Sequence, residues 1–126
     1  MFYWTPIQCS GWQETRRNFS EAAKTAILND GNQKFVSIAS AWEVAVKNSI
    51  GKFRLTDGVQ EFYKMVDSNG FLMLPIDRAY IVRVESLSFH HRDPFDRLLV
   101  ATALYEDLAI VTADEHMPAY GVPCIW

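Results

Sequence analysis

Between His90 and Thr112 a helix and a strand can be read end to end, and this pair limits the fold more than any other stretch. Asp93 is placed to N-cap the helix, and Pro94 then falls at the first helical position, where its missing N–H costs nothing. Asp96 follows in the first turn, where the helix dipole favours an anion. Phe95, Leu98, Leu99 and Thr102 recur at helical spacing and predict a buried face, with the helix ending near Asp107. Leu108 to Thr112 is then a continuous apolar run, the pattern of a strand covered on both faces. The result is a rigid element with carboxylates at its mouth: Asp93 and Asp96, set among His90, His91, Arg92 and Arg97.

The rest of the chain alternates in the same way. Ser20 to Asn29 predicts a short helix with Ala22, Ala23, Ala26 and Ile27 on one face. Lys34 to Ile38 predicts a strand running into a second helix from about Ser40 to Ile50, which Gly51 ends. Asp57 to Ser68 predicts a third helix, with Val59, Phe62, Tyr63 and Val66 on one side and Asn69-Gly70 as its stop. Phe71 to Leu74 is a strand, Asp77 to about Leu87 a fourth helix, and Val122 to Trp126 a last strand. Strands alternating with helices imply βαβ units and a mainly parallel sheet with right-handed crossovers. In such sheets, sites form beyond the carboxyl ends of the strands.

With 126 residues, 49% of them hydrophobic, the chain has the size and core of one domain. A net charge of −3 gives no global basic field, although a local cluster of Lys and Arg is enough for phosphate. Cys9 and Cys124 make neither a disulfide framework nor a zinc spacing. No apolar run approaches the ~20 residues of a membrane span. The opening lacks a basic region followed by an apolar one, so the cytoplasm is the expected compartment.

Three acids fall at strand ends or helix starts. Glu43 lies in the first turn of the second helix, and Lys47, four residues on, can pair with it. Asp96 opens the long apolar helix, and Asp114 follows the buried strand in Thr112-Ala113-Asp114-Glu115. Each has an ordinary structural explanation: Ser40-x-x-Glu43 reads as a capping box, Asp93 and Asp96 as helix-start acids, and Asp114 as a turn aspartate. Together they fall on one edge of the sheet. Crowded carboxylates repel unless a cation joins them, and oxygen ligands suit Mg²⁺ or Mn²⁺ better than zinc. A hard divalent ion held this way activates water and stabilises charge building on phosphate oxygens. His90 and His91, with His116, suggest zinc more weakly, since adjacent histidines seldom both reach one metal. They read as solvent-facing or as phosphate contacts.

At this point the pattern resembles a known family. Ser37-x-x-Ser40-x-Trp42-Glu43-Val44-Ala45-Val46-Lys47 is similar to the Trp-Glu-Ile-Ala-Ile-Lys segment of PIN-domain proteins of the VapC-like toxin branch. His91-Arg92-Asp93-Pro94-Phe95-Asp96-Arg97-Leu98-Leu99-Val100-Ala101 resembles that branch's most specific motif. Val111-Thr112-Ala113-Asp114 resembles its last acidic motif, and Tyr120-Gly121-Val122-Pro123 to Trp126 its ending. The likeness runs from about Ser20 to Trp126. It implies an α/β, three-layer PIN-like fold, with a mainly parallel sheet flanked by helices.

The resemblance also implies a Mg²⁺-dependent (or Mn²⁺-dependent) endoribonuclease that hydrolyses RNA phosphodiesters with metal-activated water. Such a protein is the toxin of a toxin–antitoxin pair, with an antitoxin partner, a homodimeric state and no membrane. Glu43, Asp96 and Asp114 take the places of metal-binding, catalytic acids, with Asp93 and Thr112 in support. Arg92, Arg97, Lys47 and His90 are the candidates to steer the RNA backbone.

Residues 1–18 depart from the family and are read as an atypical segment before a PIN-like domain over 19–126. The family opens with a central strand ending Leu-Leu-Asp-Thr. Met1 to Arg17 supplies no such aspartate, and Glu14 lies outside a strand context. The first central strand is therefore expected to be lost or degraded, and the activity impaired. The genetic code suggests why. Phe2-Tyr3-Trp4-Thr5 is encoded TTY-TAY-TGG-ACN, and reading from the third base of the Phe codon forces Leu, Leu, Asp. A shifted frame from the start to near Arg17 explains the opening. The second reading is a catalytically inactive PIN-like module that binds an antitoxin or dimerises; the third is a zinc hydrolase through His90, His91 and His116.

Overall fold

Five short strands lie side by side in one sheet, every neighbouring pair parallel. They are β1 (Phe2–Trp4), β2 (Lys34–Ser37), β3 (Leu72–Leu74), β4 (Ala109–Val111) and β5 (Cys124–Ile125). Their order is β3-β2-β1-β4-β5. The computed structural model describes residues 2–4, 19–52 and 55–126. The sequence readings of residues 5–18, with Cys9, Glu14 and the remainder of the frame question, lie outside the described residues. The central strand is in place, at three residues. Phe2, Tyr3 and Trp4 pair with Lys34, Phe35 and Val36 on one side and with Ala109, Ile110 and Val111 on the other.

Five α-helices connect the described strands: α1 (Glu21–Leu28), α2 (Ile38–Ser49), α3 (Val59–Ser68), α4 (Arg78–Ser86) and α5 (Pro94–Glu106). Their starts follow the caps. The side chains of Ser20, Asp77 and Asp93 accept the first free amides of α1, α4 and α5. The second helix begins earlier than its sequence suggests, because Ser37, still the last residue of β2, accepts the amide of Ala39 at 3.0 Å. Strand and helix are thus joined without a loop. Ser40 is a buried helical residue, so the expected capping box of Ser40 with Glu43 does not form. The third helix begins later than expected, after Gly58, whose φ of 60° favours glycine.

Successive strand residues alternate between two cores, as the pleat requires. Val36, Val111, Met73 and Ile125 pack with Ala23, Val44, Phe62 and Val66 from α1, α2 and α3. Phe35, Leu74, Ile110 and Cys124 pack with Leu99, Val100 and Ala103 of α5 and with Met117. Helices therefore cover both faces, giving the three-layer α/β arrangement. Buried under such cover, the three-residue β4 needs no polar face, which is why its run is apolar throughout. Met117 opens a short 3₁₀ helix (Met117–Tyr120) that the sequence reading did not anticipate. It carries Tyr120 back toward the start of α5.

Candidate metal centre

The carboxyl ends of β2 and β4 and the N-terminus of α5 converge, and the candidate acids lie there. Asp93 caps α5, its Oδ1 accepting from Phe95 N at 2.8 Å and from Asp96 N at 3.4 Å. That cap fixes the first turn and points Asp96 inward, where it is 2% exposed. Beyond β4, Thr112 Oγ1 accepts the amide of Asp114 at 3.1 Å, and Asp114 Oδ1 accepts the amide of His116 at 2.8 Å. Asp114 Oδ2 is left facing the cluster. Asp93 and Thr112 thus each hold a neighbouring acid in place.

His91 joins the two acids. Its Nε2 lies 3.0 Å from Asp114 Oδ2 and 3.3 Å from Asp96 Oδ2. Among the described residues, His91, Asp96 and Asp114 form the group whose ligand atoms all lie within 4.8 Å of one another. The expectation that both histidines face solvent or phosphate therefore fails for His91. Adjacent side chains in an irregular segment diverge: the His90 ring turns edge-on to Tyr120, with centroids 4.9 Å apart. That divergence also removes the three-histidine zinc reading, since neither His90 nor His116 enters the cluster. Asp93 N donates to His91 Nδ1 at 3.0 Å, so Nδ1 holds the lone pair and Nε2 carries the hydrogen. In that tautomer the ring donates to Asp114, faces Asp96, and offers no nitrogen to a metal.

Glu43, expected to converge with the other two acids, lies outside this group but near enough for its charge to act on Asp96. It is 3% exposed, and Lys47 donates to its Oε1 at 2.6 Å, the i,i+4 pairing expected from the sequence. Its Oε2 is one of two buried side-chain polar atoms without a hydrogen-bond partner among the described residues; Ser40 Oγ is the other. The charges act on one another. Burial pushes the Asp96 carboxyl up to about 6, and Asp93, Glu43 and Asp114 push it the same way while His91 opposes them. A buried, unpartnered carboxylate oxygen beside two converging carboxylates fits a hard divalent cation, and the all-oxygen donor set favours Mg²⁺ or Mn²⁺.

The basic residues divide. Arg92, next in the chain to His91, is exposed. Arg97, expected from the sequence to steer RNA, is buried. Its guanidinium donates to the carbonyls of Ser88, Val84 and Leu87 at 2.9, 3.2 and 3.3 Å and to the Tyr120 hydroxyl at 3.4 Å. It caps the C-terminus of α4, where free carbonyls and the helix dipole favour a cation, and Phe89 covers it at 4.2 Å. A guanidinium used in this way is not available to a phosphate.

A family model for the PIN domain matches residues 10–123. The chain is a PIN-domain protein. PIN domains are in general nucleases. The PIN fold here is similar to two solved structures. One is VapBC2 from Rickettsia felis bound to a DNA fragment from their promoter, with a TM-score of 0.70 and 13% identity, over 98% of this chain and 97% of that one. The other is FitAcB from Neisseria gonorrhoeae, with a TM-score of 0.59 and 16% identity, over 98% and 96%. Identities this low establish the shared fold. No curated protein matches the chain. No helix among the described residues of this PIN domain is long and apolar enough to cross a membrane.

Proposed function

We propose that this PIN-domain protein is a divalent-cation-dependent endoribonuclease, the VapC-like toxin of a toxin–antitoxin pair acting in the cytoplasm. The observation that carries the reading is the convergence of Asp96 and Asp114, with the unpartnered buried oxygen of Glu43 beside them. Glu43, Asp96 and Asp114 would hold Mg²⁺ or Mn²⁺. The ion would supply Lewis-acid polarisation of a phosphate oxygen and acidify a water. The chain's own residues do the rest. Asp93 and Thr112 fix the directions of Asp96 and Asp114. Arg92 is placed to hold an RNA phosphate, and Lys47 to offset charge at Glu43 and at the incoming backbone.

The test is Mn²⁺ binding together with RNA cleavage. Asp96→Asn should abolish both. Binding that survives this substitution would place the ion elsewhere and end the proposal. The opening segment sets the level of activity. With no aspartate of the family type before Ser20, this chain should cleave RNA weakly or not at all, and a frame-repaired chain opening Leu-Leu-Asp should cleave it well. Equal, strong cleavage by both would refute the role given to that aspartate. DNA that does not restore a family-like opening when read one base over would end the frame hypothesis.

The second reading, an inactive PIN module that binds an antitoxin or a second copy, has its own support. Trp42, Ile81 and Val82 are exposed large apolar side chains, and Trp42 leans on Phe95 with centroids 5.0 Å apart. Trp42 and Ile81, with Pro94, Phe95 and Leu98, edge an apolar hollow of about 240 Å³. Apolar surface of this kind favours a protein partner. We assign it to homodimerisation. The antitoxin partner rests on the fold shared with VapBC2 and FitAcB.

A further inference from the structure

The position of His91 between the two carboxylates has a consequence for how an ion enters. Its Nε2–H is hydrogen-bonded to Asp114 Oδ2 at 3.0 Å, and the same nitrogen lies 3.3 Å from Asp96 Oδ2. The hydrogen of such a bond lies about 2 Å from its acceptor, the distance at which a Mg²⁺ ion sits from a carboxylate oxygen. The ring cannot instead become a ligand, because the Asp93 amide keeps the lone pair on Nδ1. We propose that His91 is a positioning residue that bridges Asp96 and Asp114 in the metal-free protein, and that a divalent cation and this bridge exclude one another. The inference rests on the cation-site reading above.

The surroundings allow the ring to leave while its backbone stays. The Tyr120 hydroxyl accepts the amides of His91 and His90 at 2.7 and 3.2 Å, and Arg97 donates to the same oxygen at 3.4 Å. Arg97 belongs to α5, which carries Asp96, and Tyr120 closes the segment that begins at Asp114. The elements that carry the two acids therefore also pin the main chain of His91. The side chain is 20% exposed, so rotation about its own torsions, giving up the Asp93 amide, takes it toward solvent while Tyr120 keeps the main chain in place. The bridge keeps two like charges together before the ion arrives, and it lowers the apparent affinity for the ion by the strength of its hydrogen bonds.

The test uses His91→Asn in the full chain. The asparagine oxygen can still accept the Asp93 amide two residues on, as in an Asx turn, but is too short to bridge the acids. Mn²⁺ binding, followed by electron paramagnetic resonance, should become roughly tenfold tighter. Unchanged or weaker binding overturns the inference while leaving the cation site standing, provided the wild type binds and Asp96→Asn does not. If neither the wild type nor His91→Asn binds, the cation reading fails and the inference with it. A second measurement needs no variant: nitrogen-15 spectra of the His91 ring should show a hydrogen-bonded Nε2–H that disappears as Mg²⁺ saturates the protein. Its persistence at saturation also overturns the inference.

Discussion

Asp96→Asn should stabilise the metal-free protein near neutral pH while removing its cation site. The wild-type carboxyl is buried, and its pKa is raised from 3.8 to about 6, first by lost hydration and then by Asp93. A rise of some two units corresponds to about 3 kcal/mol of penalty on the ionised form. The folded protein keeps this proton where the unfolded chain has lost it. Between about pH 4 and 6 the folded state therefore binds more protons, and this group's contribution to stability falls as pH rises, with the full penalty standing above about pH 6. Asparagine has the same shape and no charge. The raised value already includes the opposing pull of His91, so the variant should be about 3 kcal/mol more stable at pH 7.5, a gain that shrinks to nothing near pH 4. Urea unfolding of both proteins in EDTA, stepped from pH 4.5 to 8, isolates the contribution of the cluster as a difference, because carboxylates outside it cancel. A variant no more stable than wild type at pH 7.5, or one whose gain is flat with pH, would refute the account of a buried, mutually repelling cluster.

Arg97→Ala should cost about 3 kcal/mol in urea unfolding, since it takes the guanidinium donor from the carbonyls of Leu87 and Ser88 and one of two donors from Val84; a near-neutral result would mean that solvent satisfies them. Asp107 closes α5 at φ 56°, so Asp107→Gly should raise stability by about 0.5 kcal/mol, read as a higher midpoint in thermal melts. Thr112→Val removes the acceptor for the Asp114 amide and should weaken Mn²⁺ binding about tenfold by titration, with only a small loss of stability. Trp42→Glu should leave folding intact and shift sedimentation equilibrium toward monomer; an unchanged distribution would move the dimer interface away from this hollow.

The sequence by itself determined the elements and the acids. Caps at Ser20, Asp77 and Asp93 are local hydrogen bonds, so they are legible where they stand, and the apolar run after Asp107 could only be a covered strand. Side-by-side packing of those strands then carries Asp96 and Asp114 to one edge of the sheet, as their places at element ends implied. What only the tertiary structure decided lies in longer contacts. Arg97, read as a surface charge, is consumed by carbonyls nine to thirteen residues earlier in the chain, and nothing within a turn of it announces that. The main chain of His91 is pinned beside the acids by a hydroxyl 29 residues away, and Ser37 displaces Ser40 as a cap because β2 runs straight into α2. Local patterns record the bonds a residue makes within a turn or so. The partner that fixes a side chain's direction from across the fold becomes known only when the chain is folded.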